Sequence, residues 1–475
     1  MGSSNSISYT SKNGINFLLD KKQLVAEVSS SPTATGDFFF KHSIRYHSQD
    51  YIIKSIESRS FIDNKQIKSI EFPQNSELEL IGDEAFKKSS LESIFIPSKI
   101  IQIGPCTFSE CKNLKRVKFA NDSLLQSIGQ YSFAFTAIET ITLPAHIKEI
   151  GEFSFHNCSK LKEVKIDASS EFLTINGYAF AMSNVKKISI PAKIKELKEG
   201  WCRCTNKLTE ISIHPNNRKF SFFDEEKKLI ISKSDEDNDE FDIAIFACRD
   251  IETVFIPTSI KNISSFSFEQ CKKLKKIEFS ENSQIKTIQK YAFSMTSIEK
   301  ICFPKSLEVI EDGAFFFCAN LKEIEFSKDS KLVSIRQEAF SFTSIASLSI
   351  PPHVKSIGIK AFYLNASLKT IFIPENSELE SVGSEAFNKS SLERIVLPAS
   401  LKRIERMAFY DCSCLKSVEY IGEQLLIMSG SFASCRSLFV LSFPNASKVT
   451  FNSNEKFSKN CSLFFQPKTI IEITT

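Results

Sequence analysis

The sequence predicts an α/β repeat solenoid, in which strands of successive repeats form a parallel sheet and short helical turns line the other face. Three observations lead to this prediction. Phenylalanine is used heavily, with 44 Phe against 9 Tyr and 1 Trp. One Phe recurs at alternating intervals of 22 and 25 residues, which add up to a double repeat of 47 residues. Pro97, Pro144 and Pro191 follow the same 47-residue period, and fixed periodicity of this kind is the signature of stacked repeats.

The recurring Phe usually follows Ala or Ser, which indicates one structural position filled many times. It occurs at positions 61, 86, 108, 133, 155, 180, 268, 293, 315, 340, 362, 387, 409, 432 and 457. No single unit of this length can bury its own apolar face, so the units are expected to stack on their neighbours.

Each repeat has three parts. The first is L-x-x-I-x-I-P, as in residues 91–97, where alternating β-branched residues before a proline predict a strand with a defined end. The second is a turn leading to I-x-x-I-G, as in residues 147–151. The third is x-A-F-x-x-C-x-x-L, as in residues 155–161, and its length predicts about one helical turn.

Three regions follow from this pattern. Residues 1–50 are predicted to form an N-terminal β-hairpin cap, residues 51–465 the solenoid, and residues 466–475 a C-terminal tail. The phase slips near Trp201, which replaces the recurring Phe, and Pro191 and Pro257 are 66 residues apart. The excess predicts an insertion at about 216–249, where apolar alternation on both sides of Asp224 suggests a β-hairpin laid beside the solenoid.

The repeat, L-x-x-I-x-I-P followed by I-G-x-x-A-F-x-x-C, resembles the BspA-like leucine-rich repeats of the Treponema pallidum type. The resemblance covers roughly residues 50–465, and residues 14–20 and 51–56 resemble the cap of that family. It implies a right-handed, curved leucine-rich-repeat stack with a concave parallel sheet. It also implies a surface antigen that adheres to host proteins, in a family expanded in bacteria and parasitic protozoa.

Most of the 13 cysteines fall in one position of the repeat, three residues after the recurring Phe. They are Cys111, Cys158, Cys204, Cys271, Cys318, Cys412 and Cys435. Most of the repeats between them carry Ser or Thr there, so we predict a structural ladder of small, buried side chains that bond backbone carbonyls. Free thiols are expected, because cysteines two coils apart lie beyond disulfide reach.

No catalytic, metal or cofactor site is predicted, and the chain is expected not to be an enzyme. The six His lack a partner pattern for a triad or a metal. The acidic run at residues 235–240 lacks the glycine of a calcium loop and is interpreted as a solvated loop tip. With a net charge of +4 and no basic block, nucleic acid is not an expected partner, and no apolar run is long enough for a transmembrane segment.

The location is left open by two opposing signals. No secretory signal is recognised, so the cytoplasm is the default expectation, whereas the family resemblance implies the cell surface. Residues 1–6, M-G-S-S-N-S, match the pattern for myristoylation of Gly2, a weak lipidation signal that would give a marginal anchor.

The outward positions of the predicted strands supply the candidate binding face. Reading the middle residue of each strand along the stack gives mostly polar side chains, with Phe95, Phe255, Phe372 and Val396 as apolar exceptions. Phe372 and Val396 are on adjacent coils, and Arg394 lies beside them, a composition typical of interaction hot spots. The interpretation is a monomeric, non-enzymatic protein-protein interaction module, of a surface-antigen or adhesion type. An intracellular or membrane-tethered scaffold is the alternative, and isolated exposed hydrophobes also occur without any function.

Overall fold

The computed structural model describes residues 6–167, 170–235, 240–452 and 461–474. The chain forms two compact units, residues 1–221 and 222–475. The sequence predicted a single solenoid over 51–465, whereas the boundary between the two units falls inside the predicted insertion. Each unit is a β-solenoid, because its parallel strands come from successive repeats of the chain.

The first unit opens with an antiparallel meander. Ser6–Thr10 pairs with Asn16–Asp20, which pairs with Val25–Val28. Val25–Val28 then pairs in parallel with Gln49–Ile56, which also pairs antiparallel with Ser43–Tyr46, and every later strand of this sheet is added in parallel. Two further strands complete the opening segment, Gly36–Phe39 and Ser43–Tyr46. The antiparallel meander therefore lies within the predicted cap, and the parallel stack starts from it.

The repeats of the first unit contribute one long and one short strand per coil. The long strands are Ile67–Glu71, Ser93–Ile96, Arg116–Phe119, Thr140–Leu143, Glu163–Ile166, Lys187–Ile190 and Glu210–Ile213. The short strands are Leu80–Ile81, Gln102–Ile103, Ser127–Ile128, Glu149–Ile150, Thr174–Ile175 and Glu196–Leu197. Long strands pair with long strands and short strands with short strands, so each coil has two sheet-forming sides.

The second unit repeats this plan. Its long strands are Thr253–Ile256, Lys276–Phe279, Lys300–Phe303, Glu323–Phe326, Ser347–Ser349, Thr370–Phe372, Arg394–Leu397, Ser417–Tyr420, Val440–Phe443 and Ser462–Phe465. Its other sheet contains Leu229–Ser232, Ile243–Ala247, Asn262–Ile263, Thr287–Ile288, Val309–Ile310, Ser334–Ile335, Ser356–Ile357, Ser381–Val382, Arg403–Ile404, Gln424–Ile427, Lys448–Asn452 and Ile470–Thr474. Phe220–Phe222 is a strand at the boundary of the two units.

The core of each unit is a column of stacked phenyl rings surrounded by the inward Ile, Leu and Val of the strands. In the first unit the recurring Phe from Phe61 to Phe180 stack with ring centroids 4.9–5.4 Å apart. In the second unit the column runs from Phe268 to Phe432 at 4.8–5.4 Å. All of these rings are fully buried, which explains the heavy use of Phe in the sequence.

The prediction of helical turns on the third side of the coil is wrong. No helix occurs among the described residues, and the third side consists of successive tight turns. Two residues per coil, such as Glu84 and Lys88, have left-handed φ values of 57° and 60°, which interrupt a helix. The backbone N–H groups alternate as a result: Lys87 N donates to Glu84 O in its own coil, whereas Phe86 N donates to Thr107 O of the next coil.

The insertion and the tail also differ from their predicted roles. Leu229–Ser232 pairs antiparallel with Ile243–Ala247, which pairs in parallel with Asn262–Ile263. These strands open the short-strand sheet of the second unit instead of lying beside a solenoid. The predicted tail contains Ile470–Thr474, which pairs in parallel with Lys448–Asn452 and extends the same sheet.

Candidate interaction surfaces

The outward face of the long strands presents alternate side chains to solvent, because successive residues of a strand point to opposite sides. In Arg394–Leu397, for example, Ile395 and Leu397 are buried, whereas Arg394 is exposed and Val396 half-buried. The proline or turn after each strand fixes where this face ends. The face is therefore a regular surface formed by the outward residues of successive strands.

Phe372 is the most prominent apolar residue of this face, with 64% of its surface exposed. Thr370 pairs with Arg394, so Phe372 and Val396 lie two residues further along neighbouring strands. Arg394 forms an ion pair with Glu419 of the next strand, with 3.2 Å between its Nη2 and the Glu419 Oε2. The geometry therefore brings together the three residues predicted from sequence and adds a carboxylate that the sequence reading omitted. We call Phe372, Arg394, Val396 and Glu419 the Phe372 patch.

The other two predicted aromatic residues have different surroundings. Phe255 is half exposed in the second unit, in a shallow depression that Glu278, Lys300 and Cys302 also line. Phe95, in the first unit, is half-buried beside Lys118. On the next strand Phe255 pairs with Glu278 and Phe95 with Lys118, so neither forms an apolar pair like that of Phe372 and Val396.

The position three residues after the recurring Phe is a buried column at one corner of the coil. Its thiols donate to the carbonyl oxygen of the Phe one coil earlier: Cys111 to Phe86 at 2.9 Å, Cys158 to Phe133 at 3.1 Å, Cys318 to Phe293 at 3.0 Å, Cys412 to Phe387 at 3.1 Å and Cys435 to Phe409 at 3.0 Å. Burial raises the pKa of Cys111, Cys158 and Cys318 to about 11. These thiols are therefore protonated donors at neutral pH, which suits a structural role.

Cys271 has weaker backbone contacts than the other thiols of the column. Its sulfur lies 3.9 Å from the Ala247 carbonyl oxygen and 3.8 Å from that of Cys248. The Arg249 guanidinium, which is buried over the ring of Phe246, lies 3.6 Å from the same sulfur. At the start of the second unit, the thiol of the column therefore contacts a guanidinium as well as backbone carbonyl oxygens.

The assignment of Trp201 to the phenylalanine position is off by one residue. Phe155 N donates to the oxygen of Ala179, the residue just before the next recurring Phe. Phe180 N donates in the same way to Trp201 O, at 2.8 Å. Trp201 therefore takes the alanine position, and Cys202 takes the position of the recurring Phe. The alternation of 22 and 25 residues thus continues through this coil.

Cys204 lies outside the corner column for the same reason. Thr205 takes that position, and its Oγ1 donates to Cys202 O at 2.6 Å, as Thr136 Oγ1 donates to Phe133 O at 2.9 Å. Cys204 instead has a left-handed φ of 56° and is only half-buried. The sequence pattern placed Cys204 in the column because Trp201 is the aromatic residue nearest to the expected Phe.

A group of aromatic side chains on the turn side of the second unit was missed from sequence. Phe342 contacts Phe316, Phe317 and Tyr363, with ring centroids 5.5–5.6 Å apart, and Phe317 is 48% exposed. These residues stand one or two positions after the recurring Phe. The triple Phe at 315–317 was the signal, since only its first member fits the core position.

The turn side of the first unit carries a smaller group of the same kind. The Phe153 ring stacks between Tyr131 at 4.7 Å and Tyr178 at 4.9 Å. His156 contacts the edge of Phe153 at 5.6 Å, and burial lowers the pKa of this His. Phe135, which is 38% exposed, also contacts His156 at 5.4 Å, so each unit carries such a group with one exposed ring.

A metal site and a membrane-spanning segment were not predicted from the sequence. Among the described residues no group of three or more His, Cys, Asp or Glu is arranged to hold a metal ion. Nor does that part of the chain contain a helix long and apolar enough to cross a bilayer. Gly2 and Phe457 lie outside the described residues, as does most of the acidic run at 235–240.

Comparison with solved structures shows the class of fold. A similar structure is that of the pneumococcal vaccine antigen PcpA, with a TM-score of 0.59, 21% identity and coverage of 100% of both chains. Another is a leucine-rich cell surface protein from Faecalibacterium prausnitzii, with a TM-score of 0.54, 18% identity and coverage of 95% of this chain and 96% of that one. No curated protein sequence matches. The chain therefore has a leucine-rich-repeat fold.

The family follows from a second comparison. The model of the BspA type leucine rich repeat region matches in six copies, over residues 35–162, 126–229, 240–363 and 333–463. This chain belongs to the BspA-type leucine-rich repeat family. Members of this family are typically protein-interaction or surface proteins, and the fold typically serves binding rather than catalysis.

Proposed function

We propose that this chain is a non-enzymatic protein-binding module and that the Phe372 patch is its contact surface. The observation that carries the proposal is the exposure of Phe372 beside Val396 on a face whose other outward residues are mostly polar. An aromatic anchor next to an arginine is the composition that dominates the energetics of known interfaces. The Arg394–Glu419 ion pair borders the apolar pair and would give the contact its polar edge.

The rigidity of the surface also supports the proposal. Ile371 and Ile395, the inward neighbours of the exposed residues, are buried, and Thr370 pairs with Arg394 across the strands. A partner that binds this face would order few side chains, so less of the binding free energy is lost to entropy. A protein with a complementary apolar pocket and a charged rim is therefore the expected partner.

A matched pair of variants tests the site. Phe372→Ala and Phe317→Ala remove the same side chain from two exposed positions, one on the long-strand face and one on the turn side. Proteins captured by the whole chain would be identified by quantitative mass spectrometry, and the affinity of a purified partner measured by calorimetry. We expect Phe372→Ala to weaken binding by at least about 1 kcal/mol and Phe317→Ala to leave it unchanged. Loss of affinity only in Phe317→Ala would place the site on the turn side.

An adhesion-type role at the cell surface is the finer form of this proposal, and it rests on the family resemblance. Surface biotinylation of intact cells, followed by detection of the labelled chain, tests the location. Labelling equal to that of a known surface protein is the expected result. Labelling no higher than that of an intracellular protein would favour the scaffold alternative, which metabolic labelling of Gly2 with a myristate analogue then tests.

A further inference from the structure

Neighbouring side chains of the corner column are in contact from one coil to the next. The hydroxyl oxygen of one coil and the thiol sulfur of the following coil lie 3.2–3.4 Å apart at four steps: Ser89 and Cys111, Thr136 and Cys158, Thr296 and Cys318, and Ser390 and Cys412. This contact is a property of the fold, because it recurs in both units. Cys435 follows Cys412 in the next coil, so at this step two thiols meet in place of a hydroxyl and a thiol.

The spacing of these two coils is suitable for a disulfide. Phe409 and Phe432, each three residues before its cysteine, have ring centroids 5.3 Å apart. Equivalent Cα atoms of the two coils are therefore about 5 Å apart, within the range of roughly 4.4–6.8 Å that disulfides span. Both side chains are thiols in this structure, and that of Cys435 is hydrogen-bonded to that of Cys412. Closing the bond requires the two sulfurs to approach from this contact to about 2 Å.

Oxidation of these two thiols would leave neither of their acceptors without a donor. The thiols of Cys412 and Cys435 donate to the carbonyl oxygens of Phe387 and Phe409, and both bonds are lost when the thiol protons are lost. Each oxygen also accepts a backbone N–H: Ser390 N donates to Phe387 O at 3.0 Å, and Cys412 N donates to Phe409 O at 3.3 Å. These bonds remain after oxidation, so the cost of an unsatisfied buried carbonyl is avoided.

The electrostatic surroundings of Cys412 differ from those of the other thiols in the column. Burial opposes its ionisation, but hydrogen bonds from the side chains of Cys435 and Ser390 lower the pKa of the Cys412 thiol. By contrast, burial raises the pKa of Cys158 to about 11, although Thr136 is hydrogen-bonded to it. The thiolate is the reactive form of cysteine, so the second thiol favours reaction at Cys412.

The two sulfurs also lie directly beneath the surface. Cys412 and Cys435 are buried, whereas the adjacent residues Ser413 and Ser434 are exposed. Both cysteines lie in turns at the corner of the coil, outside the paired strands. A local opening of these turns is therefore sufficient to admit a small oxidant without unfolding the sheets.

We propose that Cys412 and Cys435 are a redox-active pair, which hydrogen peroxide oxidises to a disulfide within the folded chain. The Cys412 thiolate attacks one peroxide oxygen, the O–O bond breaks, and the departing hydroxide takes up the proton that Cys412 released. The Cys435 sulfur then attacks the sulfenic acid on Cys412, forms the S–S bond and displaces a second hydroxide, which takes up the Cys435 proton. Two thiols and one peroxide thus give one disulfide and two waters. A dithiol reductant restores the thiols by exchange.

Peptide mass spectrometry of the full-length chain tests the link. Cys414 is exposed and lies in the same tryptic peptide as Cys412, so Cys414→Ser serves as the parent chain. The folded parent is treated with hydrogen peroxide, its remaining thiols are alkylated in denaturant, and its tryptic peptides are analysed without reduction. The expected product joins the peptides of Cys412 and Cys435, with the loss of two hydrogen atoms, and separates on treatment with dithiothreitol. Cys158, which has hydroxyl neighbours in the column, is expected to remain alkylatable.

Two serine variants of the parent show whether the bond forms in the folded chain. Cys435→Ser restores the alternation of thiol and hydroxyl and is expected to fold but to form no link. The matched control, Cys158→Ser, removes a column thiol from the first unit and is expected to form the link as the parent does. Peroxide should raise the melting midpoint of the parent and of Cys158→Ser by about 5 °C, because the link restricts the unfolded chain, and leave that of Cys435→Ser unchanged.

Two results would overturn the proposal. The first is the absence of the link after peroxide treatment that oxidises the exposed Cys302, whether Cys412 and Cys435 are then still alkylatable or carry oxygen. The second is a link that lowers the melting midpoint of the parent, since the folded coils would then not accommodate the bond.

Discussion

Each of the two units begins with a turn in which an aspartate side chain accepts backbone N–H groups. In the first unit, Asp20 ends a strand and its Oδ1 accepts the N–H groups of Lys22 at 2.7 Å and Gln23 at 3.0 Å. In the second unit, Asp224 accepts the N–H groups of Lys228 at 2.8 Å and Leu229 at 2.9 Å. The strands on either side of the Asp20 turn pair antiparallel, and the two strands after the Asp224 turn also pair antiparallel. In both units the parallel stack starts after this antiparallel pair. The insertion is thus an internal cap, which begins a stack a second time.

The largest expected effect comes from the phenyl columns and tests whether the units fold separately. Phe133→Ala and Phe315→Ala should each lower the free energy of unfolding by about 3–5 kcal/mol, because each leaves a cavity in a stacked column. Trp201, the single tryptophan, lies in the first unit. Its fluorescence should report destabilisation by Phe133→Ala but not by Phe315→Ala, while circular dichroism detects both. Equal shifts of the fluorescence transition would mean that the chain unfolds as one unit.

The next prediction compares two asparagines in the corner column, one from each unit. Asn64 Nδ2 donates to Ser31 O at 3.0 Å and Ala34 O at 2.9 Å, and its Oδ1 accepts the N–H of Ile67 at 3.0 Å. Asn64→Cys should lower the free energy of unfolding by about 3 kcal/mol, since a thiol cannot replace these bonds.

Asn365 should respond in the opposite direction. Its Oδ1 accepts the N–H of Thr343 at 2.8 Å, but its buried Nδ2 has no partner in the described part of the chain. Asn365→Cys removes this donor and should raise the free energy of unfolding by about 1 kcal/mol. Chemical denaturation of both variants checks the pair. Destabilisation by Asn365→Cys would show that its amide is paired after all.

The two aspartate turns give a smaller difference. Asp224→Ala should lower the free energy of unfolding by about 2 kcal/mol and Asp20→Ala by about 1 kcal/mol. The bonds of Asp224 are part-buried, whereas those of Asp20 are exposed, where water replaces the lost carboxylate. Thermal melts compare the two, with Asp→Asn at each site as the control that retains one acceptor. A larger effect at Asp20 would contradict this ranking.

The smallest expected effect is a change in the rate at which an exposed thiol is alkylated. The exposed thiols, Cys302 and Cys414, are both in the second unit. Burial and then the hydrogen bond to Glu325 raise the pKa of Cys302, so little thiolate is present at pH 8. Glu325→Gln should lower this pKa and speed the alkylation of Cys302, which peptide mass spectrometry follows with Cys414 as the internal standard. An unchanged rate would show that burial alone controls this thiol.

The sequence predicts the repeat well because the period of Phe and Pro reflects one coil of the stack. The third side could not be read from it, because left-handed residues such as Glu84 are not glycines and carry no sequence signal. The internal cap was similarly hidden, since a strand pair looks the same whether it lies beside a stack or begins one.

The candidate binding surface was predicted in part. Alternation within Arg394–Leu397 is sufficient to tell outward from inward residues, which places Phe372 and Val396 on one face. The exposed Phe317 was missed because residues in a turn do not alternate, so sequence spacing does not tell which side chains point outward. Cys204 was assigned to the corner column for another reason: in its coil, Cys202 occupies the position of the recurring Phe.

The corner column also constrains how the gene can lengthen or shorten. Thiol and hydroxyl side chains alternate along most of it, with contacts such as the 3.4 Å between Thr136 Oγ1 and Cys158 Sγ. Recombination that adds or removes 47 residues preserves this alternation, whereas a change of 22 or 25 residues places two like groups in neighbouring coils. The column contains two such neighbour pairs, the hydroxyls of Ser183 and Thr205 and the thiols of Cys412 and Cys435. Growth in pairs of coils is therefore the route by which such a chain changes length while keeping its thiols apart.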